Sequence, residues 1–131
     1  MSFALDHIVI YASNREKSGR FYARLLGMLG FEEGRGGVFV RDGLFFDIRA
    51  KGNGAGDAAP RQCGDPGVDR IGFKASSSEA VDAIKDEMDA AGFNGELFEF
   101  HLGDRALFLP DPDGVRIRIT WYANPPAAPV D

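Results

Sequence analysis

The residues in this chain best equipped for chemistry come in matched places. His7 stands third in the strand-like run LDHIVIYA (5–12). The same rhythm returns in VDRIGFKA (68–75), with Arg70 where the histidine stood. A second exchange lies further along. Setting Gly43 of VRDG on Gly114 of DPDG aligns Leu44 with Val115, Asp47 with Arg118 and Ile48 with Ile119. One copy of the pattern thus offers an imidazole and a carboxylate, whose lone pairs can take a proton or a cation. The other offers two guanidiniums, which only donate, keep their protons and suit anions. His101, in FEFHLGDR, either joins His7 in acid–base work or lies at an edge or mouth, and the second reading is favoured. Cys63 sits in a loop of Gly, Pro and Asp with no general base in prospect, so it is not read as a nucleophile.

These residues must be held by a repeated unit. The segments LDHIVIYASNREKSGRFYARLLGMLGF (5–31) and VDRIGFKASSSEAVDAIKDEMDAAGF (68–93) share one layout. A strand leads into a polar break with helix-capping candidates, Ser13 and Asn14 in the first copy and Ser76 to Ser78 in the second. A helix follows, its apolar stripe predicted at Phe21, Tyr22, Leu25, Leu26 and Leu29, then at Val81, Ile84, Met88 and Ala91. Each helix ends at Gly-Phe, 30–31 and 92–93, where glycine suits a left-handed cap. Strand candidates come next, within 36–50 and 95–122, and each last strand is preceded by Asp-Gly, a hairpin signal. Each copy therefore reads βαβββ. The expected layout is a first module at 1–50, a linker at 51–67, a second module at 68–122 and a proline-rich tail at 123–131. The glycine-rich GRGG (34–37) and GNGAG (52–56) lack the lysine and the strand-to-helix junction of a phosphate loop and read as turns.

The bulk composition bounds the function. The chain has 131 residues, 44% of them hydrophobic and 11 of them Phe, which suits a packed globule. Its net charge is −5 and no basic cluster could track phosphates, so nucleic acid is not an expected partner. No apolar run is long enough to span a bilayer, so no membrane role is expected. A single cysteine forbids an internal disulfide, and the apolar start MSFALDHIVIY has no basic flank. A cytoplasmic protein beginning with a strand is the expectation.

The duplicated βαβββ pattern, carried by LDHIVIYASNREKSGRFYARLLGMLGF at the front and RALFLPDPDGVRIRI at the back, resembles the vicinal oxygen chelate superfamily. That group includes glyoxalase I, fosfomycin-resistance proteins, extradiol dioxygenases and bleomycin-binding proteins. The resemblance covers roughly 3–122 and implies an α+β fold. Its two βαβββ modules would form a cupped, largely antiparallel mixed sheet with helices outside. It also implies a homodimer. Metal enzymes of the group hold a divalent ion with His or Glu on the first and last strands of each module. Those positions fall here on His7, Asp47, Arg70 and Arg118.

Two of the four cannot ligate. At ~4 Å and an effective dielectric of 20, each unit of ion charge would repel each arginine by ~4 kcal/mol. No metal or other cofactor is therefore expected; a divalent ion, if one bound, would fall to His7, Asp47 and His101. Strand parity places Leu5, Val9 and Tyr11 with His7, Gly72 and Lys74 with Arg70, Phe45 and Arg49 with Asp47, and Arg116 and Thr120 with Arg118. That face is rich in positive charge. The expected ligand is a small, anionic molecule bound among His7, Tyr11, Asp47, Arg70, Arg118 and His101, with Asp47 paired to Arg70 or Arg118. The alternative is a metal-dependent lyase, isomerase or dioxygenase with an unusual ligand set. A third reading is an interaction protein with a cup closed by side chains. The blander view of the arginines is structural ion pairing with Asp47, Asp69 or Glu99. Phe39, Phe45, Phe46, Phe98, Phe100 and Phe108 are read mostly as core, about half facing the helices.

Overall fold

A computed structural model describes residues 1–51 and 61–123. GNGAG, most of the linker and all of the tail after Ala123 lie outside the described residues. The order of elements is the predicted βαβββ, twice. The first copy holds β1 (His7–Ala12), α1 (Arg15–Met28), β2 (Glu32–Glu33), β3 (Val38–Arg41) and β4 (Leu44–Ala50). A single 3₁₀ turn over Arg35–Gly37 occupies the GRGG segment. The second copy holds β5 (Arg70–Lys74), α2 (Ser78–Ala90), β6 (Glu96–Glu99), β7 (Arg105–Pro110) and β8 (Arg116–Trp121). No helix among the described residues is long and apolar enough to cross a membrane.

Each copy makes its own four-stranded mixed sheet, in the orders β1-β4-β3-β2 and β5-β8-β7-β6. The first strand lies parallel to the last and the remaining pairs are antiparallel. Contacts divide the chain into two compact units. One is Met1–Asp65 with Asp111–Val115, the other Pro66–Pro110 with Arg116–Asp131.

Local chemistry explains the boundaries. The Asn14 side chain accepts the Lys17 N–H at 3.0 Å and the Ser77 hydroxyl accepts that of Ala80 at 3.1 Å, capping α1 and α2. Gly30 (φ 89°) and Gly92 (φ 86°) take the left-handed conformation that ends each helix. The next residue then closes the cap, the Phe31 N–H on the Leu26 carbonyl and the Phe93 N–H on that of Met88, both at 2.9 Å. Between β3 and β4 the two-residue turn Asp42-Gly43 has positive φ at both positions, as a type I′ hairpin requires.

Each helix buries its stripe against its own sheet. Phe21, Tyr22, Leu25 and Leu26 of α1 are buried with Ile10, Ala12, Phe39, Phe46 and Ile48. In α2 the buried side chains are Val81, Ile84 and Met88, packed in a core with Leu107, Leu109, Ile117 and Ile119. The stripe is shorter than predicted: Leu29 is only half-buried and Ala91, the cap residue of α2, is exposed. Of the six phenylalanines expected to divide between faces, Phe39 and Phe46 take the buried face; Phe98 and Phe100 are exposed.

Candidate functional site

The pairing registers carry the sequence alignment through to side-chain positions. In β1 and β4 the partners are His7 with Phe45, Val9 with Asp47 and Tyr11 with Arg49. In β5 and β8 they are Arg70 with Arg116, Gly72 with Arg118 and Lys74 with Thr120. Because adjacent residues in register share a face, His7, Val9, Tyr11, Phe45, Asp47 and Arg49 line one side of the first sheet. The helix-facing side holds Ile10, Phe46 and Ile48 instead. In the same way Arg70, Gly72, Lys74, Arg116, Arg118 and Thr120 line the side of the second sheet away from Ile117 and Ile119.

The first sheet's open face balances its own charges. The Arg49 Nε donates to Asp47 Oδ2 at 2.8 Å. Hydrogen bonds to Asp47 and then to Tyr11 raise the Arg49 pKa above its ordinary value. Asp47 thus takes its arginine from its own strand, two residues on, where the sequence suggested Arg70 or Arg118. The reason is proximity: residues i and i+2 of a strand stand side by side on one face. His7 is engaged locally too. Its Nδ1 lies 2.7 Å from Asp6 Oδ2, and its ring stacks on Phe45 with centroids 4.9 Å apart.

The second sheet's open face does not balance. Arg70 Nε donates to Asp69 Oδ2 at 3.1 Å, and Arg116 lies 3.8 Å from the same carboxylate. Lys74 has no ion pair among the described residues, and neither does Arg118. The half-buried Arg118 uses its Nε to hold Thr120 Oγ1 at 2.9 Å. Its guanidinium lies over two rings, 5.0 Å from the centroid of Phe108 and 5.4 Å from that of Phe100. The terminal Nη atoms make no hydrogen bond among the described residues. Among the described residues the four cations of this face have ion pairs only to Asp69; Glu96 lies two strands away, beside Phe108.

His101 lies in the turn after β6 and is exposed. Cys63 is exposed and free.

The divalent ion that the fold family implies does not suit these side chains. No group of three or more His, Cys, Asp or Glu among the described residues could hold one. Asp47 is committed to Arg49, and the second module's equivalent positions present guanidiniums.

One polar cluster was not anticipated. The DPDG turn was read only as a hairpin, and Tyr22 only as part of an apolar stripe. In the first unit Asp111 is 4% exposed and accepts the Tyr22 hydroxyl at 2.6 Å. Its other oxygen accepts the N–H groups of Asp113 and Val115, both at 2.9 Å. Asp113 in turn accepts the N–H of Ser13 at 3.0 Å and the Ser13 hydroxyl. Burial pushes the Asp111 pKa above its ordinary value, against its hydrogen bonds, and burial with the Asp111 charge raises that of Tyr22. The signal was present in the sequence, since a tyrosine in a buried stripe needs a partner for its hydroxyl.

With the geometry fixed, comparison with known proteins decides the family. The profile of the glyoxalase/bleomycin resistance protein/dioxygenase superfamily matches residues 4–119. The chain belongs to that superfamily. Solved members share its fold. A candidate glyoxalase of Bacillus halodurans superposes with a TM-score of 0.75 at 22% identity, over 90% of this chain and 95% of the other. A glyoxalase/bleomycin resistance protein of Albidiferax ferrireducens T118 gives 0.65 at 25% identity, over 90% and 98%. A lactoylglutathione lyase of Agrobacterium tumefaciens gives 0.64 at 17%, over 92% and 95%. No match is found among curated proteins. The superfamily spans several chemistries, so membership leaves the task of this member to its own side chains.

Proposed function

We propose that this superfamily member is a binding protein that takes up a small anionic molecule without a metal ion. Its receptor is the open face of the β5–β8 sheet. The observation that carries this reading is Arg118: half-buried, fixed by Thr120 and two rings, and without a carboxylate partner among the described residues. A guanidinium held this way keeps its two terminal nitrogens for a carboxylate, which it can grip bidentately. Gly72, the residue paired with Arg118, puts no side chain between the cations. Arg70, Lys74 and Arg116 add attraction at longer range. His7, Tyr11 and Asp47 line one face of the first sheet, and His101 lies in the turn beside Phe100. The proposed place of work is the cytoplasm, where a lone thiol such as Cys63 stays reduced.

The test is a charge comparison. Calorimetric titration with a small carboxylate and with its neutral amide should show binding of the carboxylate alone, weakening as salt is added. Equal binding of the two, or binding of neither, would overturn the reading.

A further inference from the structure

The environment of Arg118 narrows the class of anion. Its guanidinium is held against Phe108 and Phe100, and Phe98 meets Phe108 edge to face with centroids 5.1 Å apart. Two of these rings face water. Phe98 is 45% exposed and Phe100 is 39% exposed. The strand that carries Phe98 is the edge of its sheet, and Phe100 follows directly in the turn beyond it. Neither ring is placed there by core packing, since the inward residue of β6 is Leu97, paired with the buried Leu107. Phe98 pairs across the sheet with Ala106, a residue with almost no side chain to cover a ring. An exposed aromatic pair beside a guanidinium with free terminal nitrogens is a two-part receptor: donors for a carboxylate, and π-faces for a flat body attached to it.

We infer that the anion is a planar aromatic carboxylate, its carboxyl group forked by the terminal nitrogens of Arg118 and its ring lying against Phe100 and Phe98. This inference rests on the anion-binding reading above and adds the shape and electronic character of the ligand. Ring–ring contact favours an aromatic body over a saturated one of the same outline, because the ring edges and faces carry opposite partial charge. The guanidinium adds attraction for a neighbouring π-face. The aromatic preference is a modest factor on top of the charge.

The test uses the full chain and three probes of similar outline: 1-naphthoate, its fully saturated decalin carboxylate, and 1-naphthamide. Dissociation constants are measured by calorimetry. Naphthoate binding threefold or more tighter than the decalin acid, with no binding of the amide, is the predicted result. A ratio under threefold, with both acids bound and the amide not, would overturn the aromatic inference while leaving the anion reading intact. Failure of both acids to bind, or amide binding equal to naphthoate, would overturn both. Phe100→Leu, at an exposed position, is expected to bring the naphthoate-to-decalin ratio close to one. Because the wild-type ratio alone decides the matter, misfolding of that variant would not rescue the inference.

Discussion

Arg118 and Asp111 represent opposite solutions to placing a charge in a folded chain. The terminal donors of Arg118 meet no partner among the described residues. Asp111 is saturated, with the Tyr22 hydroxyl on one oxygen and two backbone N–H groups on the other. Removing the donor leaves a buried carboxylate oxygen unpaired, so Tyr22→Phe should lower stability by ~1–3 kcal/mol in denaturant titrations. The same aspartate should leave a mark on pH dependence. Burial raises its pKa in the folded chain above the ordinary 3.8, so the folded state holds this proton more tightly than the unfolded state. Its contribution to stability is thus complete below pH 3.8 and is withdrawn as the pH rises through the higher folded value. Comparison of wild type with Asp111→Asn over that window isolates it. The wild type should lose stability relative to the variant as pH rises. A constant difference would mean that Asp111 titrates normally.

At the level of elements, what the sequence disclosed was punctuation and parity. Asn14 and Ser77 as caps, Gly30 and Gly92 as stops and Asp42-Gly43 as a turn are local choices, and each was legible because backbone geometry admits few residue types there. Parity then placed His7 with Tyr11 and Arg70 with Lys74 on one face of each parent strand. What parity could not disclose was partner choice. On paper Asp47 was paired with Arg70 or Arg118, but surface pairs differ by only ~1 kcal/mol or less, and reach along its own strand settled the matter in favour of Arg49. The Tyr22–Asp111 bond joins residues 89 apart in sequence, a separation that no local pattern encodes. Two substitutions test the helices. Leu25→Ala in the α1 stripe should cost ~2–5 kcal/mol. Gly92→Ala, where a methyl would touch nothing but φ is 86°, should cost ~1 kcal/mol from backbone strain alone. An unchanged melting temperature in Leu25→Ala would show the helix register to be wrong.

For the whole molecule, the two copies of one pattern have diverged in charge. The first sheet's open face neutralises itself through Asp47 and Arg49, and the second carries the surplus. Apolar side chains also remain on show at matching places before each first strand, Leu5 at 66% and Val68 at 71% exposure, with Phe3 beside the former. We propose that the chain pairs with a second copy of itself. Light scattering should return a dimer mass, and a monomer at all accessible concentrations would contradict this. Whether an arginine, and not a metal, receives the ligand is decided by one calorimetric experiment. A carboxylate is titrated into wild type and Arg118→Met, both in excess chelator. The wild type should bind despite the chelator, and the variant should lose about tenfold or more in affinity, as expected when a charge-assisted pair is removed. Binding that vanishes with chelator, or that survives unchanged in Arg118→Met, would contradict it.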